Sequence, residues 1–208
     1  MKLIFISDTH NNHANIPIPN GDILIHCGDL TGLGTLPEIN RFVQWWSALP
    51  HKHKVLVPGN HDFLFETNTS LACSRFAGTG THILINDETT IDGVKIYGSP
   101  ITPTFLNWAF NVDRGEPIKR YWEMIPDQVD VLVTHGPPHG ILDVTHRGEK
   151  AGCEELMERV AKVKPRVHAF GHIHEGYGMV DRYGIKFINA AVSGHSGNYN
   201  RKAWEVIL

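Results

Sequence analysis

Aspartate, histidine and asparagine recur in five short blocks along this chain, each directly behind an apolar run. The blocks are Asp8-Thr9-His10, Gly28-Asp29, Gly59-Asn60-His61-Asp62, Thr134-His135 and Gly171-His172-Ile173-His174. Carboxylate, imidazole and amide oxygen are donors that first-row divalent cations accept, and no thiolate stands among them. Together they suffice to hold two cations side by side, and adjacent cations are one way to attack a phosphate ester. Two ions about 3.5–4 Å apart need a carboxylate between them, and Asp29 is the candidate bridge.

Taken singly, each residue has a plainer reading. Asp8 and Asp29 suit turns after strands, because aspartate favours such positions. Asn60 after Gly59 suits a turn, and a lone loop histidine needs no special role. The ordered set of five is what argues for a metal centre. His26, His51, His53 and His82 belong to no motif and read as surface or structural, and His168 falls in a strand. His13, His139 and His195 lie in loops near the motifs as candidate substrate contacts. The Ser193-Gly194-His195-Ser196-Gly197 stretch matches no phosphate-binding loop. Trp46 reads as core, whereas Phe105 and Trp108 are candidates for a substrate wall.

The motifs need elements to place them. Leu3–Ile6, Asp22–Cys27, Val55–Val57, Val129–Val133 and Val167–Phe170 read as buried strands, each running into a motif. Ile83–Ile85 and Thr89–Ile91 are short strands of an antiparallel middle region. Asp92-Gly93 turns a hairpin into Val94–Tyr97. Lys186–Ile188 and Trp204–Ile207 complete the strands. Leu36–Leu49 is a helix, with Ile39, Phe42, Val43 and Trp46 at helical spacing. Ile118–Met124 and Cys153–Val163 are further helices, and 99–111 is a long loop with room for a short helix. This order predicts an α/β protein of mixed sheets with helices outside. Ligand sites in such layered proteins collect at the carboxyl ends of strands, so five loops are expected to converge at one sheet edge.

Bulk properties set the bounds. The chain has 208 residues, which suits one domain spanning 1–208. A formal net charge of −3 argues against an extended nucleic-acid groove. Cys27, Cys73 and Cys153 form no CxxC pair, so neither a disulfide scaffold nor a thiolate zinc site is expected. No apolar run has the length of a signal-peptide core or a membrane span. A cytoplasmic protein without membrane attachment is expected; no oligomeric state follows.

The five blocks resemble, in order, the signature of calcineurin-like metallophosphoesterases: D-x-H, GD, GNH[DE], H and GHxH. That resemblance implies a sandwich of two mixed β-sheets flanked by helices. It also implies two divalent metal ions, one held by Asp8, His10, Asp29 and His174 and the other by Asp29, Asn60, His135 and His172. His61 would sit beside them without binding metal. The stretches 28–31, 135–140 and 171–178 are similar to small single-domain MPPED-type phosphodiesterases. That similarity implies manganese dependence and action on phosphodiesters, cyclic nucleotides included; iron, zinc, cobalt and nickel accept the same donors. The expected reaction is attack by a metal-bridging hydroxide. His61 is the expected proton donor to the departing oxygen, and Asp62 either orients His61 or braces its loop. A phosphomonoesterase or protein phosphatase would use the same site. No arginine falls inside the motifs, which favours a diester. A nuclease ranks low. A non-catalytic scaffold is the alternative of another class, opposed by the completeness of the ligand set.

Overall fold

The computed structural model describes residues 1–194 and 200–208. Five strands build the first sheet: β1 (Lys2–Ile6), β2 (Ile23–His26), β3 (His53–Leu56), β4 (Thr81–Ile83) and, at the other edge, β13 (Trp204–Ile207), in the order β13-β1-β2-β3-β4. The second sheet has six: β5 (Asp87–Ile91), β6 (Val94–Ser99), β9 (Val131–Thr134), β10 (Val167–Phe170), β11 (Gly178–Arg182) and β12 (Ile185–Asn189), in the order β11-β12-β10-β9-β6-β5. β1 to β4 run parallel and β13 closes that sheet antiparallel. The second sheet is parallel at its centre and antiparallel at both edges. β7 (Thr102–Pro103) and β8 (Asn111–Val112) make a small separate pair.

Side chains alternate across each strand, and here both faces are buried. Leu3 and Phe5 pack with Ile23, Ile25, Val55, Val131, Val133, Val167 and Ile188 to form the core between the sheets. Ile4, Ile6, Leu24 and Leu56 face the opposite way, into a core shared with Ile39, Phe42 and Trp46 of helix α1 (Leu36–Ala48). Burial on both faces is why these strands read as unbroken apolar runs. α1 starts at a capping box, where the Thr35 N–H donates 2.8 Å to the Glu38 carboxylate. Its three fully buried anchors, Ile39, Phe42 and Trp46, each contribute about 1.5–3 kcal/mol by leaving water. Two short helices, α2 (Phe63–Thr67) and α3 (Thr69–Ser74), follow the third motif. α4 (Glu116–Glu123) and α5 (Glu154–Val163) pack on one another, burying Ile118, Trp122, Leu156 and Val160.

The α/β sandwich of two mixed sheets flanked by helices is the architecture expected, with five local differences. β4 lies two residues before its predicted place and pairs parallel to β3 in the first sheet, not in an antiparallel middle region. β11, α2 and α3 were not anticipated; each is five or six residues long, too short for periodicity to register. The long loop carries the β7–β8 pair instead of a helix. Among the described residues, no helix is long and apolar enough to cross a membrane.

Candidate metal centre

The five motifs meet where strands of both sheets end, not at the edge of one sheet. Asp8 lies just after β1, Asp29 after β2 and Asn60 after β3, while His135 follows β9 and His172 follows β10. Backbone bonds knit these turns together: Asp8 N–H to Gly28 O at 2.9 Å, His10 N–H to Asp29 O at 3.1 Å and Gly171 N–H to His135 O at 2.9 Å. Asp8, His10, Asp29 and His172 all have positive φ, at 56°, 39°, 55° and 66°. Such backbone is uncommon outside glycine and collects where a site constrains it.

Among the predicted ligands, two groups of three donors form. The ligand atoms of Asp8, His10 and His174 lie within 4.8 Å of one another, as do those of Asp29, His135 and His172. In the first group His10 Nε2 and His174 Nε2 are 3.3 Å apart, and His174 Nε2 is 3.2 Å from Asp8 Oδ1. In the second, His135 Nε2 is 3.3 Å from Asp29 Oδ1 and 2.8 Å from Asn60 Oδ1. Asp29 stands between them, with Oδ2 3.7 Å from His10 Nε2. The structure thus brings together all seven predicted ligands, with the predicted bridge in the centre. Oxygen and imidazole nitrogen crowded this way fit divalent first-row cations.

Ring orientation is set from outside. Cys27 O lies 2.9 Å from His135 Nδ1, and Thr31 O lies 3.2 Å from His10 Nδ1. A carbonyl can only accept, so Nδ1 carries a proton in both rings and Nε2 is the nitrogen turned to the site. Glycines supply the room. A Cβ on Gly59 would sit 2.3 Å from Asp29 Oδ1, and one on Gly171 only 2.0 Å from Asp8 Oδ2. That contact, more than turn formation, is why glycine precedes the ligands in these two blocks.

Charge is tightly paired. Burial works against ionised Asp8, yet the hydrogen bond and positive charge of His174 hold its carboxyl well below the usual range. Asp29 is likewise held low, against burial, by His135. Burial opposes the charge on His135, but Asp29 raises it to about 9. Burial pushes His172 down to about 4, with the charge of His135 adding to the effect. Two anionic carboxylates thus attract protons where a cation would be drawn, so metal uptake would release protons.

His61 faces the same centre. A ligand atom of His61 falls within 4.8 Å of those of His10 and Asp29. Its Nδ1 is 2.7 Å from Gly32 O, and its ring lies 4.0 Å, centroid to centroid, from Trp108. Asp62 does not touch the ring. Its buried carboxylate accepts from the N–H groups of Gly59 (2.7 Å), Thr31 (3.0 Å) and Leu30 (3.3 Å) and from Thr31 Oγ1 (2.7 Å). Asp62 thus ties the second motif to the third, and Gly32 has the orienting place at His61. Burial and the charge of Asp29 push the Asp62 carboxyl up to about 7.

Among the softer candidates, Phe105 is 63% exposed and lines a cavity of about 400 Å³ beside His172 and His174. Trp108, expected as a substrate wall, lies with its ring tilted 30° to that of His61. His13 is buried against Phe42 and Trp45, away from the site. His139 pairs at 3.9 Å with Asp143, and His195 lies outside the described residues. Arg114 and Arg147 also line the cavity, so arginine is closer to the centre than the motif blocks suggest. His26 is a supporting residue that sequence reasoning passed over. Fully buried, it lies 3.1 Å from Thr9 Oγ1 and accepts from Gly28 N–H at 3.2 Å, joining the first two motifs.

Comparison with known proteins fits this geometry. A family model described as Calcineurin-like phosphoesterase matches residues 1–176. Human Metallophosphoesterase domain-containing protein 1 is 37% identical over 214 residues, covering 92% of this chain and 66% of its own length. UPF0046 protein C25E10.12 of Caenorhabditis elegans is 37% identical over 228 residues, covering 100% of this chain and 80% of its own. A solved crystal structure superposes with a TM-score of 0.71 at 15% identity, covering 91% of this chain and 90% of that one, which shows a shared fold. The chain spans just under two thirds of the length of the human relative.

Proposed function

Because this chain belongs to the calcineurin-like phosphoesterase family, we propose that it is a two-metal phosphoesterase hydrolysing phosphodiesters, cyclic nucleotides among them. We take 1–208 as one catalytic unit, since the donors come from both sheets. The observation that carries this reading is Asp29, whose two carboxylate oxygens face different histidines, His10 at 3.7 Å and His135 at 3.3 Å. A carboxylate so placed is what two neighbouring cations require. Manganese is the ion we propose first; iron, zinc, cobalt and nickel accept the same donors.

Asp8, His10, Asp29 and His174 would hold one ion, and Asp29, Asn60, His135 and His172 the other. When bound, the pair supplies Lewis-acid neutralisation of the phosphoryl oxygens and lowers the pKa of the water nucleophile. The protein's own groups do the rest. His61, with Nδ1 turned to Gly32 O, presents Nε2 to protonate the departing oxygen. Trp108 covers one face of that ring. Asp62 keeps the loops of Asp29 and His61 in register through its four accepted hydrogen bonds.

The cavity favours a monoanion. Arg114 spends Nη1 and Nη2 on the carbonyls of Gly152 and Ala151, both at 2.9 Å, so little of its charge is directed at substrate. Arg147 on the same wall supports a second reading, a phosphomonoesterase or protein phosphatase at this site. Free cysteines suit a reducing compartment, and we place the protein in the cytoplasm acting on a small substrate. The deciding experiment compares a bis-aryl phosphate diester with its monoester, using metal-stripped protein before and after adding manganese. Metal-restored turnover that favours the diester supports this reading, and monoester preference moves the assignment to a phosphatase. Two ions bound without turnover of either substrate would leave an enzyme of narrow natural substrate or a scaffold.

A further inference from the structure

The stretch after β12, described at 190–194 and 200–203, belongs to none of the five motifs and lies beyond the residues matched by the family model. It nonetheless packs directly against the loop carrying His172 and His174. Val192 N–H donates to Ser7 O at 3.0 Å, which sets the segment beside the end of β1 and Asp8. Asn189 Nδ2 donates to Ile173 O at 2.8 Å. Arg201 Nη1 donates to His174 O and Ser193 O, both at 2.6 Å, and to Ala191 O at 3.2 Å. Its guanidinium lies 5.1 Å from the centre of the Tyr177 ring, which stacks on Trp204. Two successive carbonyls of the histidine loop, at 173 and 174, are therefore captured by Asn189 at the end of β12 and by Arg201 beyond it.

His174 is the ring that most needs such support. Its side chain is 28% exposed, against 17% for His10 and 0% for His135. His10, His61 and His135 each have Nδ1 against a backbone carbonyl. His174 has the Ser193 hydroxyl there instead, 2.9 Å from Nδ1 and 3.3 Å from Nε2. Ser193 is 2% exposed, so this hydroxyl has little access to water as an alternative partner.

We propose that Ser193 and Arg201 are positioning residues for the metal centre. Ser193 turns the His174 ring toward Asp8 and His10, and Arg201 fixes the two backbones that carry the pair. Outer partners of metal-binding histidines set ring orientation and basicity in this way. The inference rests on His174 being a metal ligand.

The test is Mn2+ titration of the metal-stripped full chain by calorimetry, with paramagnetic resonance of the bound ions and Tm of the metal-free forms. Ser193→Ala should weaken one of two Mn2+ equivalents by about 10–100-fold and leave the other within about twofold, as loss of an outer partner does. Metal-free Tm should hold, and Ser193→Thr should restore affinity. Arg201→Met should weaken the same equivalent, with Arg201→Lys recovering part of the loss. Two Mn2+ ions bound by Ser193→Ala with wild-type affinity would overturn the proposal. Equal weakening of both sites with a lowered metal-free Tm would assign Ser193 a purely structural role and also overturn it. Wild-type protein that takes up no Mn2+ would sink the two-metal reading itself, an outcome distinct from either.

Discussion

Replacing Gly171 by alanine tests the metal centre without touching a ligand. The backbone there is not in the left-handed region, so an L side chain is conformationally allowed. The obstacle is contact: the new Cβ would lie 2.0 Å from Asp8 Oδ2 and 2.1 Å from Ser7 Oγ. Reaching even a tight non-bonded distance moves the carboxylate by about 1 Å or more. Metal–ligand distances tolerate only about 0.2 Å, so the shift exceeds the tolerance severalfold. Asp8 would also lose its bonds from His172 N–H, now at 3.0 and 3.1 Å. A misplacement of this size costs about 10²-fold in rate, and metal affinity should fall by at least the ~10–100-fold seen for lost outer partners. The assay pairs Mn2+ titration with diester hydrolysis, on protein shown to be folded by circular dichroism. Gly178→Ala is the control, since its Cβ would find nothing closer than 3.5 Å. A Gly171→Ala protein that binds both ions and turns over like wild type would refute the placement of Asp8 at the metal.

Three further outcomes follow from the same geometry. Asp29→Ala should lose both ions, read as metal per protein after gel filtration; one ion retained would mean that Asp29 does not bridge. His61→Ala should keep both ions and lose about 10²–10⁴ in kcat on diesters with poor leaving groups, the range expected for a proton donor. Its loss with nitrophenolate should be small, and equal losses on both substrates would exclude the proton-donor role. His168 is fully buried, and burial pushes its pKa down to about 3, against 6.5 for the free side chain. Between pH 6.5 and 3 the unfolded chain binds this proton and the folded one does not, so stability falls as pH falls, by about 1.4 kcal/mol per pH unit for this group. His168→Leu should remove that part of the acid slope in denaturant midpoints measured from pH 6 to 4, leaving Thr134 Oγ1 its bond to Gly136 O at 2.7 Å. An unchanged slope would show that His168 is not the group charging.

What the sequence discloses about this centre is mostly local, and what it conceals is mostly long-range. An apolar run followed by Asp8 or Asp29 marks a strand end, because both faces of these strands are buried and the run stops where the site begins. The donors themselves are legible because one residue type meets two demands. Asp8, His10, Asp29 and His172 carry candidate ligand atoms and also occupy left-handed backbone, which Asn, Asp and His enter more readily than other L residues. The same short block therefore encodes both the turn and the chemistry. Nothing equivalent flags Trp108, packed against a ring 47 positions earlier, or Arg201, bonded to a carbonyl 27 positions back. Their partners are chosen by how the sheets close, and an aromatic or an arginine in a loop has many commoner uses. β4 was misplaced for a related reason: its partner β3 lies across α2 and α3, helices too short to betray a parallel crossover in the sequence. The strained ligand turns, each costing about 1–3 kcal/mol, persist only because strands of both sheets hold their ends. That dependence is why a substitution such as Gly171→Ala, chemically mute in itself, should register at the metals.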